Sequence, residues 1–156
     1  MTWSFQTRNG DLNLGGAGGF ATVTGQQKLT QDLKNWLLEP RGTDPIHPDF
    51  GAVLDGGLLP DGSEADSLIG NELSGETLIL IESEVRRVLG SYQQQQLDRI
   101  TAESALYGGK NTFSAGEILA GVMNVSLQQI SDVVLVTCTI QTGDGSQLTF
   151  SQPLGA

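Results

Sequence analysis

The chain has 156 residues and a formal net charge of −10 at pH 7, with eight Lys and Arg against 18 Asp and Glu. That length suits one domain, residues 1–156, with a core large enough to need no covalent staples. So few and so dispersed cations exclude a phosphate-gripping surface, because nucleic-acid affinity is mostly cationic contact.

The lone Cys138 rules out an internal disulfide, and the opening MTWSFQTRNG has no basic segment followed by an apolar one. No apolar run approaches the roughly 20 residues that span a bilayer, so no membrane contact is expected. The expectation is a soluble chain folded in a cytoplasm.

Residues 1–19 alternate weakly through Trp3, Phe5, Leu12 and Leu14 and end in Gly-Gly-Ala-Gly-Gly. Without a following Gly-Lys-Ser/Thr or a strong preceding strand, this reads as a Gly-rich flexible arm rather than a phosphate cradle. Residues 20–23 are a short, β-prone entry. From Thr24 the pattern changes to helix. Thr24 and Gln27 have capping-box spacing, and Leu29, Leu33, Trp36 and Leu37 fall on one face opposite Gln31, Asp32, Lys34 and Asn35. Pro40 disfavours helix at Glu39, and Gly42 suits a left-handed exit. The spacing predicts a charged corner, Glu39-Pro40-Arg41, presented at the tip of an anchored helix.

The loop that follows, DPIHPDFG, is stiffened by Pro45 and Pro48, with Ile46 and Phe50 able to tuck inward. His47 is the sole histidine. Without Cys, a second His or a fixed carboxylate beside it, it reads as a packing or hydrogen-bonding loop residue, not a metal ligand or general base. Residues 52–73 are rich in Gly, Asp and Ser; Asp61, Glu64 and Asp66 do not match a calcium loop, so the segment reads as a solvated excursion with leucine anchors.

A second helix is predicted from Ser74 or Thr77 to about Leu97, its stripe formed by Leu78, Ile81, Val85, Val88, Leu89 and Tyr92. Glu82 and Arg86 form an i,i+4 pair worth ~0.3 kcal/mol, Gly90 is a candidate kink, and Arg86 and Arg87 read as a solvated face. Ser114 and Glu117 form a second capping box, opening a short helix to about Ala120. Alternation then runs through Met123, Val125 and Leu127; through Val134, Val136, Cys138 and Ile140; and through Leu148 and Phe150. Turns at Ser131-Asp132 and Gly143-Asp144-Gly145 make this a three-stranded antiparallel meander in which Cys138 packs as a small apolar residue. The fold class is α+β: two principal helices packed on a small antiparallel sheet, with the meander at the C-terminus.

Nothing in this pattern points to a bound metal or cofactor. A hydrolytic triad would have to use His47, and no nucleophile elbow accompanies it. Two opposed carboxylates can be drawn from Glu39 with Asp44 or Asp49, as a glycosidase needs, but Arg41 would favour the ionised carboxylate, the wrong direction for a general acid.

The stretch FATVTGQQKLTQDLKNWLLEPRGTDPIHPDFG resembles the signature of the gene-25-like baseplate wedge family of contractile-tailed phages and the sheath-initiator subunits of related contractile injection systems. The matching parts are Val23-Thr24-Gly25, Leu37-Leu38, Glu39-Pro40-Arg41-Gly42 and His47-Pro48-Asp49-Phe50-Gly51, and the resemblance covers roughly residues 18–152. It implies a non-enzymatic virion protein of the tail baseplate. Glu39, Pro40 and Arg41 would dock on the helical core bundle of the wedge subunits. The meander carrying Val134, Val136, Cys138, Ile140, Leu148 and Phe150 would accept strands of the tail sheath protein by β-augmentation. Other inner baseplate or hub proteins are further implied partners. A lysozyme-like, peptidoglycan-cleaving role has also been attached to this family and stands as the alternative.

Overall fold

The computed structural model describes residues 2–8, 11–13, 19–69 and 73–155; the sequence reading of residues 14–18 lies outside them. The N-terminal residues form short antiparallel pairs: β1 (Ser4–Phe5) with β4 (Thr22–Val23), and β2 (Thr7–Arg8) with β3 (Asp11–Leu12). The arm is laid on the first helix, α1 (Gly25–Leu38), where the Gln31 side chain accepts from the Thr7 N–H and donates to the Phe5 carbonyl. Leu29, Leu33, Trp36 and Leu37 are all buried, as their spacing predicts.

Thr24 does occupy the N-cap of α1, but its side chain makes no capping bond. The cap comes from Glu117, 92 residues away, whose Oε1 accepts from the Gly25 N–H at 3.1 Å. Glu117 Oε2 accepts from the Thr2 N–H (3.1 Å), the Thr2 hydroxyl (2.8 Å) and the Ser114 N–H (3.1 Å). A carboxylate aimed at a helix N-terminus satisfies an orphan donor and meets the positive end of the dipole. Glu117 closes a 3₁₀ turn (Ala115–Glu117), shorter than the helix to Ala120 predicted from sequence.

The second helix, α2 (Gly75–Leu106), starts at Ser74, whose hydroxyl accepts from the Thr77 N–H, and runs 32 residues. Gly90 neither breaks nor ends it. A glycine costs ~1 kcal/mol there, far less than the burial of Ile81, Val85, Val88, Leu89 and Tyr92 returns. The helix continues past Leu97 on polar pairs, Gln94 to Asp98 and Arg99 to Glu103, and Glu103 then accepts from the Thr112 N–H and hydroxyl to fold the chain back. Such pairs carry no apolar periodicity, which is why the sequence pattern ends early.

Residues 52–73 are not a plain excursion. Ala52–Leu58 form β6, which pairs in parallel with β5 (Pro40–Arg41) and antiparallel with β7 (Glu64–Ala65), and Ala52 and Leu54 are buried.

The C-terminal sheet is the predicted meander: β8 (Leu119–Ile130), β9 (Val133–Thr142) and β10 (Gln147–Leu154), antiparallel in the order β10-β9-β8. Val134, Val136, Cys138, Ile140, Phe150 and Leu154 point into the core against both helices, while Leu148 is half-buried at its margin. Burial pushes the Cys138 thiol up to about 11, as befits a packed, inert sulfur. One alternation fails. Val122 pairs with Ile140 and Asn124 with Thr139, so Met123 is the extra residue of a bulge and is exposed. Gln96 of α2 pins the start of β8, donating to the Glu117 carbonyl at 2.7 Å and accepting from the Leu119 N–H at 2.8 Å.

Burial pushes the Glu117 carboxyl up, but bonds from the N–H groups of Gly25, Ser114 and Thr2 and from the Thr2 hydroxyl outweigh it and hold the pKa at about 2. A carboxylate lowered in the fold contributes stability above its unfolded value and loses it as pH falls through the folded one. Glu117→Gln is expected to cost about 3 kcal/mol at pH 7, with the gap from the parent closing between about pH 4.5 and 2; urea denaturation across that range measures it.

Candidate functional site

The Glu39-Pro40-Arg41 corner forms because α1 cannot pass Pro40 and the chain re-pairs as a strand. Pro40 lies opposite Ala52, and Arg41 lies opposite Gly57 across a register shift. The Ala52 N–H donates to the Glu39 carbonyl at 2.8 Å, and Gly42 adopts the expected left-handed conformation at φ 83°. Gly51 is the tightest point. With φ +96°, a Cβ there would lie 2.3 Å from the Glu39 carbonyl oxygen, so no side chain fits.

The two charges of the corner have different fates. Glu39 stays half-exposed, its Oε1 accepting from the Thr43 hydroxyl at 2.7 Å. Arg41, read from sequence as presented, is instead buried, with 9% of its side chain exposed. Its Nη2 donates to Asp49 Oδ1 at 2.5 Å, and Asp49 is 85% exposed. Asp49 is thus the outward face of the guanidinium. The Nε of Arg41 is buried without an acceptor, an unmet donor of the kind that native folds keep few of.

A second ion pair, which sequence reasoning missed, holds the loop from below. Arg87 donates from Nε and Nη2 to Glu84 (both 2.7 Å) and from Nη2 to the Gly51 carbonyl (3.2 Å), while Glu84 also accepts from the Val53 N–H (2.8 Å). Arg87 is therefore no solvated surface cation. The available signal was Glu84 itself, an acid on the apolar stripe between Ile81 and Val88. Arg86 does sit on the surface, bonded to Glu82 as predicted.

Around the loop, Phe50 tucks in and packs edge-on against Trp36 at 4.8 Å, while Ile46 is exposed. His47 Nδ1 is 2.9 Å from Asp44 Oδ2. Bonds from His47 and from the Ile46 N–H hold the Asp44 carboxyl below its ordinary value, the wrong direction for a proton donor. Among the described residues, no group of three or more His, Cys, Asp and Glu side chains is placed to hold a metal ion.

For the sheet, the structure alters what a partner could meet. β9 is the central strand, hydrogen-bonded on both sides, so Val134, Val136, Cys138 and Ile140 offer neither a free edge nor an exposed side chain. Phe150 also faces inward. Within this sheet the unpaired backbone belongs to β8 and β10. Beside the end of β10 run two open grooves of about 640 and 630 Å³ that share Leu38 and Pro153; one is lined by Gln31 and Asn35 of α1 and the other by Pro40 and Leu54. Both grooves thus border β10, and the second also borders Pro40 of the corner. Among the described residues no helix is long and apolar enough to cross a membrane.

In three dimensions the chain is similar to a protein from Geobacter sulfurreducens provisionally described as a tail lysozyme, with a TM-score of 0.53, 16% identity, and coverage of 83% of this chain and 88% of that one. At that identity the likeness shows a shared fold alone. No protein-family model matches the chain, and no curated protein matches it in sequence.

Gly51→Ala is expected to destabilise the chain by about 2–4 kcal/mol, through left-handed strain and the clash with the Glu39 carbonyl. Hydrogen exchange at the Ala52 amide should rise with it, and an unchanged melting temperature would refute this account of the corner.

Proposed function

We propose that the chain is a structural component of the inner baseplate of a contractile tail. The single observation that carries this reading is the fold likeness to a protein provisionally described as a tail lysozyme, which agrees with the resemblance of residues 23–51 to the baseplate signature. In this reading Glu39 and the Arg41–Asp49 pair form the surface that docks on a helical bundle of wedge subunits. Glu39 offers a carboxylate, Pro40 keeps the corner rigid, and Arg41 sets the loop while its guanidinium is masked by Asp49. β10 is an edge strand with open grooves beside it, so sheath β-augmentation fits the backbone of β10 rather than the side chains of β9. Wedge, sheath and hub proteins are the partners, and the baseplate of the virion is the location.

The second reading, a lysozyme-like glycosidase using Glu39 with Asp44 or Asp49, is favoured by the description attached to the Geobacter protein. The local chemistry runs against it: Asp44 is tied to His47, Asp49 to Arg41, and Glu39 to Thr43.

Alanine substitutions separate the two. Glu39→Ala is expected to leave stability within about 0.5 kcal/mol and to abolish incorporation into tails. Arg41→Ala should cost about 1–3 kcal/mol by leaving the loop without its pair, with the same assembly defect. Thermal melts and immunoblots of purified tails read both effects. Clearing of peptidoglycan by the purified chain, lost with Glu39→Ala, would overturn the assembly reading.

A further inference from the structure

The C-terminal sheet has a second face, and it is unusual for this chain. The strands of 12, 10 and 8 residues contain no Asp, Glu, Lys or Arg at all, in a protein with 17% charged residues. Charge returns only at the turns, Asp132 at one end and Asp144 at the other. Solvent-facing protein surface ordinarily carries charge at about a quarter to a third of positions.

Register defines what that face presents. Across the three strands, Thr149, Thr139 and Asn124 form one row, and Ser151, Thr137 and Ser126 the next. Beyond them Pro153, Leu135 and Gln128 make a third row, and Val133 with Ile130 an apolar end. All of these residues are exposed or half-exposed. The hydroxyls also bond to one another: Thr137 with Ser151 at 2.9 Å and Thr139 with Thr149 at 3.1 Å. Hydroxyls already paired lose little when water is removed, whereas unpaired ones would cost a few kcal/mol each.

We propose that this outer face is a packing surface for the uncharged face of a β-sheet from a different protein chain. A partner charge buried here would find no counter-charge, so a charged partner surface is disfavoured. Short Thr and Ser side chains on a pleated surface leave room for a second sheet at about 10 Å. A second copy of this chain is a poor occupant, because each copy brings a net charge of −10 and like fields repel. The area agrees: three strands by about four rows cover about 400 Å², half of the roughly 800 Å² per partner of a stable two-body interface. The contact holds only as one side of a larger assembly. This surface is separate from the Glu39 corner, meets the β10 edge only along Ser151 and Pro153, and does not depend on the machine being a tail.

Cysteine accessibility tests it. Thr139→Cys lies at the centre of the face, Ser83→Cys on the exposed side of α2 serves as control, and the buried native Cys138 stays silent. In the purified chain N-ethylmaleimide should label both introduced thiols at similar rates. In cells producing the chain from its own locus, labelling at position 139 should slow at least about tenfold relative to position 83, as for a desolvated interface core. Equal rates in cells overturn the proposal whether or not the chain is found in tails, and absence from tails with protection intact overturns only the baseplate reading. A dimer of the isolated chain, blocked by Thr139→Lys and seen by sedimentation, would overturn the assignment to a different protein.

Discussion

The Glu117 carboxylate is the point at which three distant parts of the chain meet. It takes hydrogen bonds from Thr2 at the N-terminus, from Gly25 at the start of α1 and from Ser114 before β8. Gln96 of α2 bonds the carbonyl of the same residue. A buried charge of this kind is tolerated only because every donor around it is spoken for. Its consequence is positional. The start of α1 is fixed relative to the sheet, so the far end of α1 and the corner beyond it are fixed as well.

At that far end the backbone, more than the charges, makes the corner. Pro40 forces an exit, Gly51 allows the returning chain to pass against the Glu39 carbonyl, and Arg87 with Glu84 grips the Gly51 carbonyl and the Val53 amide from α2. Arg41 then lies inward beneath Asp49. One carboxylate, Glu39, is left half-exposed, while the guanidinium of Arg41 is masked by Asp49. The groove lined by Pro40 also borders Pro153 and Leu154, so the end of β10 lies near the same corner.

The meander has two apolar-or-neutral faces for two reasons. Its inner face seals the core under both helices. Its outer face is neutral without being buried, and isolated sheets with such a surface and with unprotected edges invite association. Within an assembly the same property becomes useful, because neutral, internally bonded side chains are inexpensive to desolvate.

Much of this architecture was legible in the residues. The stripes Leu29–Leu33–Trp36–Leu37 and Ile81–Val85–Val88–Tyr92, the alternation from Val134 to Ile140, the stop at Pro40 and the turn at Gly42 follow from periods of 3.6 and 2 and from the backbone limits of Pro and Gly. These are local rules, and local rules can be read along a chain. Other features depend on which residues meet in space: Glu117 replacing Thr24 as the cap of α1, Arg41 turned in to Asp49, Arg87 bound to the Gly51 carbonyl, and β6 paired with Pro40 and Arg41. Each depends on which donors and acceptors meet after collapse, and a linear pattern holds no record of that meeting. Periodicity and the backbone limits of Pro and Gly set where helices and strands form and which faces are apolar; packing settles which charges are exposed, because exposure depends on what lies against each side chain.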